Sequence, residues 1–157
     1  MLQRATPTIK ELLSYRLHQV ANLLSRGAEL RYRREFGVSL WEWRTVALLG
    51  AAAEPQSLNE LARAAGMDKS QMSRVVAGLA KKKIVVRETD VNDGRGIRLS
   101  LTSSGKSLYQ KLIRAAAERN EAFVGCLTAK ERDCLEAIMR KLAHEAKGFI
   151  QREKGAR

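Results

Sequence analysis

The sequence predicts a mainly helical α+β fold that carries one small β-hairpin. Three observations support this prediction. Four helix starts are marked by capping residues, and apolar residues recur at helical spacing near both ends of the chain. Between them, two segments with the alternation of strands flank an Asp-Gly turn. The expected order is therefore helices, a hairpin and further helices.

The first element is an amphipathic helix over about residues 8–35. Its apolar side chains recur every three or four residues, at Ile9, Leu13, Leu17, Val20 and Leu24. This spacing places them on one face, which needs an apolar partner.

Capping chemistry marks the helices that follow. A small polar residue stands three positions before Glu or Gln at four places: Ser39/Glu42, Ser57/Glu60, Asp68/Gln71 and Thr128/Glu131. Gly66 is expected to end the helix of about residues 57–65. The next helix then follows after a turn of about three residues.

The period changes after Ala80. Residues 84–90 and 97–102 are predicted strands, and Asp93-Gly94 between them favours a tight turn. Beyond Thr102 the chain is again helical, with apolar stripes in two long helices. We expect these stripes to pack with the first helix, both within one subunit and between two.

The composition indicates a folded basic protein. The chain has 157 residues, 29 Lys+Arg against 17 Asp+Glu, a net charge of +12 and 45% hydrophobic residues. Such a chain can form a core, and its charge favours a phosphate-bearing partner. No apolar run reaches the roughly 20 residues of a membrane span and no signal peptide is evident, so a cytoplasmic location is expected.

The sequence offers little for catalysis or metal binding. Two isolated His, the lack of a Gly-rich phosphate loop and the lack of a nucleophile motif argue against an enzyme. Cys126 and Cys134 show no CxxC spacing, so no metal, cofactor or disulfide is expected. We expect both thiols to be buried and inert.

The order helix, turn, helix and hairpin is the outline of a winged helix-turn-helix. Residues 69–98 contain eight basic and three acidic side chains, a net +5. The N-terminal part of the second helix would enter the major groove, where Gln71 can pair with adenine and Arg74 with guanine. Ser70 and Ser73 are expected to position the helix. Lys69 and Arg98 complete the predicted contacts on this lobe.

Two alternatives apply to the base-reading residues. Gln71 can serve only as the reciprocal partner of a capping box, and Arg74 can be an ordinary surface charge. At the hairpin tip, Arg95 suits the minor groove and Asp93 can hold its guanidinium, unless the tip is simply a solvated turn. The run Lys81–Lys83 is expected to attract the DNA backbone at most.

These features resemble the MarR family of bacterial transcriptional regulators over nearly the whole chain. The most specific part is Asp93-Gly-Arg95, followed by Leu101-Thr102 and Gly105. Leu58-Asn-Glu60-Leu61-Ala62 with Ser70, Ser73, Val76 and Leu79 is similar to the family's helix-turn-helix. Lys83 departs from the family, which often has Gly between this helix and the first strand of the hairpin.

The resemblance implies one MarR-like domain over residues 1–157. Residues 39–102 would form the DNA-binding lobe, and residues 8–35 and 103–152 a helical dimerisation module. It further implies a homodimer on a pseudo-palindromic operator, repression, and release by a small phenolic or aromatic effector. Members that sense oxidants carry a reactive Cys near the first helix, and this chain has none there.

Four residues are candidates for the effector pocket: Arg16 on the apolar stripe of the first helix, and Trp41, Trp43 and Arg44. Alternatively, the tryptophans belong to the core and Arg16 pairs with a Glu across the dimer. Two other functions stay open for the chain, namely nonspecific architectural or RNA binding, and activation rather than repression.

Overall fold

The computed structural model describes residues 6–89 and 96–156 and divides the chain into two compact units, Met1–Ile113 and Arg114–Arg157. A 3₁₀ turn at Ile9–Glu11 precedes the first α-helix. The helices are α1 (Leu13–Phe36), α2 (Leu40–Ala51), α3 (Leu58–Ala65), α4 (Lys69–Lys81), α5 (Ser103–Val124) and α6 (Ala129–Gly155). The strands are β1 (Gln56–Ser57), β2 (Val85–Thr89) and β3 (Ile97–Leu101). The predicted fold class is confirmed.

The helices begin where capping chemistry predicts. At the start of α2, the Ser39 hydroxyl accepts from the Glu42 N–H at 3.2 Å, and the Glu42 carboxylate accepts from the Ser39 N–H at 2.8 Å. The same reciprocal bonds open α3 and α6. Gly66, with φ 66°, ends α3 in the left-handed conformation that glycine adopts without steric cost.

The sheet contains one strand that the sequence did not predict. The strand order is β1-β3-β2, and both pairs are antiparallel. In the short pair, Gln56 faces Leu99 and Ser57 faces Arg98. Two residues are too few for a recognisable alternation, and Ser57 also caps α3. For this reason the sequence pattern did not predict β1.

Apolar side chains fix α4 in the first unit. Met72, Val76 and Leu79 on α4 are fully buried, as are Leu61 and Leu99, which lie on α3 and β3 and are 1% exposed. Full burial of such a side chain stabilises a fold by about 1.5–3 kcal/mol. This burial selects which face of α4 points inward and leaves the opposite face in solvent.

Hydrogen bonds of the Thr102 side chain connect the segment after α4 to the start of α5. Lys83 has φ 58°, so it occupies the left-handed conformation that glycine adopts without steric cost. Its carbonyl accepts from the Thr102 hydroxyl at 2.7 Å, and that same hydroxyl oxygen accepts from the Gly105 N–H at 3.0 Å. A Cβ at residue 105 would lie 2.2 Å from the Ile84 carbonyl oxygen. The motif Leu101-Thr102-x-x-Gly105 therefore forms a closely packed connection between β3 and α5, called the crowded joint below, that has no room for a side chain at residue 105.

The second unit contains the C-terminal part of α5 and the whole of α6. Arg132 of α6 lies 3.4 Å from Glu121 of α5. None of the described α6 residues is buried. Because α6 is uncovered and Cys126 lies in the turn before it, both Cys126 and Cys134 are exposed. The expectation that these thiols are buried is wrong for the single chain.

No helix in the described part of the chain is both long and apolar enough to span a bilayer.

Candidate nucleic-acid interface

The face of α4 opposite its buried side is polar. Lys69, Ser70, Gln71 and Arg74 are exposed, and Ser73 is half-buried. They lie in the first two turns, between and around the buried Met72 and Val76. The five α4 residues selected from the sequence therefore share one end of a helix whose other face is locked into the core.

The cap of α4 leaves the Gln71 side chain unused. The Asp68 carboxylate accepts from the Gln71 backbone N–H at 2.7 Å. Among the described hydrogen bonds at this cap, none returns from the Gln71 side chain, unlike the reciprocal boxes of α2 and α3. The Gln71 amide thus keeps its donor and acceptor for another partner, such as an adenine edge.

Arg74 and Lys69 supply the positive charge of this surface. Both are exposed; Lys69 is the first residue of α4, at the end where the helix dipole is positive, and Arg74 lies in the second turn. Arg74 offers a planar fork that matches guanine or phosphate oxygens, and Lys69 offers a point charge. The arrangement can therefore combine base contacts with attraction to the backbone.

Arg98 occupies a different environment from the α4 cations. Its Nη1 lies 3.3 Å from Glu60 Oε2 and 3.4 Å from the Pro55 carbonyl oxygen. Hydrogen bonds from the Ser57 N–H and hydroxyl lower the pKa of Glu60, and the charge of Arg98 adds to this effect. Arg98 therefore links β3 to the start of α3, and a phosphate would have to compete with Glu60.

The hairpin tip lies outside the described residues. Thr89 opposite Ile97 is the last described pair of the two strands. Asp93 and Arg95 belong to the undescribed segment, so their proposed roles stay predictions from the sequence.

A contact that the sequence did not reveal lies at the other end of α4. Lys82 Nζ donates to Glu42 Oε1 at 2.7 Å, although Lys82 is an exposed residue like Lys81 and Lys83. Burial would raise the pKa of Glu42, but hydrogen bonds from Lys82 and from the Ser39 N–H outweigh it and lower the pKa. The partners are 40 residues apart, and the capping box already accounted for Glu42. No sequence signal marked this pair.

Two of the four candidate effector residues lie together. The Arg44 guanidinium carbon is 4.9 Å from the centroid of the Trp41 ring, and Arg44 Nη2 donates to Ser25 Oγ at 3.2 Å. Ser25, on α1, was not among the sequence candidates. Trp43 instead is buried, with its ring centroid 5.0 Å from that of Tyr32. It belongs to the core, as the alternative interpretation expected.

Arg16 lies apart from that cluster. It precedes Ser25 by nine residues on α1, which corresponds to about 13.5 Å along the helix axis. Its Nε donates to the Lys10 carbonyl at 3.2 Å, and the residue is exposed. The burial expected for Arg16 is absent because the surrounding apolar stripe is itself exposed in one chain.

Comparison with known proteins places the chain among transcriptional regulators. A model of the MarR family matches residues 36–96. The HTH-type transcriptional regulator FarR of Neisseria gonorrhoeae is 31% identical over 104 residues, which cover 65% of this chain and 69% of FarR. The HTH-type transcriptional repressor NicR of Pseudomonas putida is 31% identical over 88 residues. That match covers 56% of each chain, so it spans little more than half of NicR.

Solved structures share the fold over nearly their whole length. A MarR/EmrR family regulator from Acinetobacter sp. ADP1 has a TM-score of 0.81 and 26% identity, covering 90% of this chain and 99% of its own. The S. aureus MepR–DNA complex has a TM-score of 0.78 and 21% identity, and the match covers 85% of this chain and 98% of MepR. PcaV from Streptomyces coelicolor, solved with its natural ligand, has a TM-score of 0.70 and 22% identity, and the match covers 91% of this chain and 99% of PcaV. The last two likenesses concern the fold alone.

Proposed function

The chain belongs to the MarR family of transcriptional regulators, and from this premise we propose that it is a ligand-responsive repressor. In this proposal it binds a pseudo-palindromic operator as a homodimer. A small aromatic or phenolic effector then releases it from the DNA.

The observation that carries the proposal is the two-faced character of α4. Its apolar face is fully buried, and the side chains of Ser70, Gln71 and Arg74 stand exposed at its N-terminal end. A helix held this way can present the same side chains to the major groove at every encounter. The name of NicR, a repressor, and the DNA complex of MepR support this direction.

Exposed apolar faces support the homodimer. On α1, Leu13, Val20 and Leu23 are 60%, 48% and 71% exposed, and the α6 residues Phe149 and Ile150 are 57% and 51% exposed. So many exposed large apolar side chains on each of these helices are unusual on a monomer and mark an association surface. We assign residues 8–35 and 103–152 to the interface. Two lobes would then read half-sites about 34 Å apart, one turn of DNA.

The Trp41–Arg44–Ser25 cluster supports an aromatic acid as effector. The indole of Trp41 offers a flat apolar wall, and Arg44 offers a fork for a carboxylate. An acid bound there would take Arg44 from Ser25, and so would change the contact between α1 and α2. It causes release if it favours a lobe spacing that does not match two successive grooves.

The test is binding of the purified protein to the DNA flanking its own gene, at fixed salt, with a scrambled duplex as control. We expect tight, selective binding that one member of a panel of aromatic acids reverses. Arg44→Ala should keep the DNA affinity and lose the response to that acid, while Arg63→Ala, a change of the same kind at an exposed position on α3, should keep the response. An inducer that acts equally on Arg44→Ala would refute the pocket.

A nonspecific architectural role is the second candidate, favoured by the net charge of +12. Such a binder would hold both duplexes equally and lose affinity steeply with salt. The position of a protected operator relative to the promoter then separates repression from activation.

A further inference from the structure

We infer that Glu42 and Lys82 form a tether that orients α4 for base reading, and that Lys82 is a positioning residue rather than a phosphate contact. This inference rests on the proposed DNA binding and adds a residue pair that directs it. It begins from the one described side-chain ion pair between α2 and the end of α4.

The geometry of Glu42 is fixed from two sides. Oε2 accepts from the Ser39 N–H at 2.8 Å in the capping box, and Oε1 accepts from Lys82 Nζ at 2.7 Å. Both carboxylate oxygens are thus engaged, and the Glu42 side chain is only 15% exposed. A carboxylate held by a helix cap gives Lys82 a partner with a defined position.

Electrostatics argue that this pair is directional. The C-terminal end of a helix carries partial negative charge, so a carboxylate beside it is unfavourable unless a cation separates the two. Lys82, the C-cap residue of α4, provides that cation. Lys82 therefore makes the position of the capped Glu42 carboxylate, beside the end of α4, favourable.

The tether complements the apolar anchoring of α4. The Thr45 hydroxyl of α2 donates to the Trp41 carbonyl at 2.8 Å and lies 3.6 Å from the Met72 sulfur, so the first turns of α2 contact α4 at two places. Met72 and Lys82 are ten residues apart, about 15 Å along α4. Burial of Met72, Val76 and Leu79 is non-directional and permits small tilts. The polar contact between Lys82 and Glu42 at the far end restricts the direction of the helix axis, and therefore the reach of Gln71 and Arg74.

The experiment compares salt dependence and sequence preference in Glu42→Gln, Lys82→Gln and the double variant. Gln at residue 42 can accept from Ser39 or from Lys82 through its one carbonyl oxygen, so the cap can survive while the tether weakens. We expect each single change to lower the preference for operator over scrambled duplex about three- to fivefold, as for a partly exposed ion pair. The double variant should lose no more sequence preference than either single variant. The salt slope, which is the slope of log affinity against log salt concentration, should stay that of the wild type.

Two further variants act as controls. Lys82→Arg can restore the pair and should recover most of the preference. Lys81→Gln removes an exposed charge at the same helix end. It should keep the preference, and it should lower the salt slope by about 0.9 for each phosphate that Lys81 neutralises in the wild type.

Opposite results would overturn the inference. If Lys82 contacts phosphate, Lys82→Gln lowers the slope, and Glu42→Gln frees the lysine and tightens binding to every duplex. If the pair is only structural, both variants unfold at lower denaturant but keep the full sequence preference. If the wild type shows no sequence preference, the proposed function fails instead. Additive denaturation midpoints in the same double-mutant cycle, without DNA, would then refute the tether itself.

Discussion

Replacement of Lys83 by glycine should stabilise the protein, and the structure gives the magnitude. Lys83 has φ 58°, and its side chain is exposed. A non-glycine residue in this left-handed conformation costs about 1–2 kcal/mol. Glycine removes that cost. It also makes the unfolded chain more flexible, which favours unfolding and offsets about 0.4–1 kcal/mol of the gain. The net gain expected for Lys83→Gly is roughly 0.5–1 kcal/mol.

The backbone contacts of residue 83 survive this change. Its N–H donates to the Ala80 carbonyl at 2.9 Å, and its carbonyl accepts from Thr102, so neither bond depends on the side chain. Lys83→Ala is the matched control, because it removes the same side chain and keeps the strained Cβ.

The assay is urea unfolding at one fixed protein concentration, followed by a thermal scan. Lys83→Gly should raise the melting temperature by about 1–4 °C, since 1 kcal/mol corresponds to about 2–4 °C for chains of this size. Lys83→Ala should leave it within a degree. A glycine variant no more stable than the alanine variant would show that the left-handed conformation at residue 83 is not strained.

Three other outcomes follow from the same structure. Gly105→Ala should destabilise the fold by about 1–3 kcal/mol in urea, because its Cβ would overlap the Ile84 carbonyl; wild-type stability would contradict the crowded joint. Glu42→Gln should reduce stability at neutral pH but not in acid, because the folded pKa of Glu42 lies below its ordinary 4.5 and its contribution disappears as pH falls through that folded value. Parallel stability–pH curves would refute this. Arg95→Ala should weaken operator binding by about 1–3 kcal/mol with unchanged circular dichroism, and unchanged binding would exclude the wing contact.

Local rules in the sequence predicted the helical framework well. Ser39 and Thr128 cap their helices reciprocally with the Glu three residues later, and Gly66 ends α3, because each of these signals acts within one turn of chain. The order of helix, turn, helix and hairpin followed from these signals together with the Asp93-Gly94 turn and the alternation of the strand segments beside it.

Contacts between distant residues could not be predicted in this way. Glu42 and Lys82 meet across 40 residues, and Trp41 and Trp43 differ in burial although both lie in the first turn of α2. Cys134 was expected to be buried because α6 carries an apolar stripe. That stripe is uncovered in a single chain, so amphipathic spacing identified the face without identifying what covers it.

The central claim is that α4 reads DNA bases, and base-by-base competition on the operator tests it most directly. Wild-type protein, Gln71→Ala and Arg74→Ala would be titrated at one salt concentration against operators with each base pair changed in turn. We expect each variant to lose discrimination at its own position, by about 1–3 kcal/mol, and to retain it elsewhere. Variants that weaken binding equally on all duplexes, or leave it unchanged, would contradict base reading by α4.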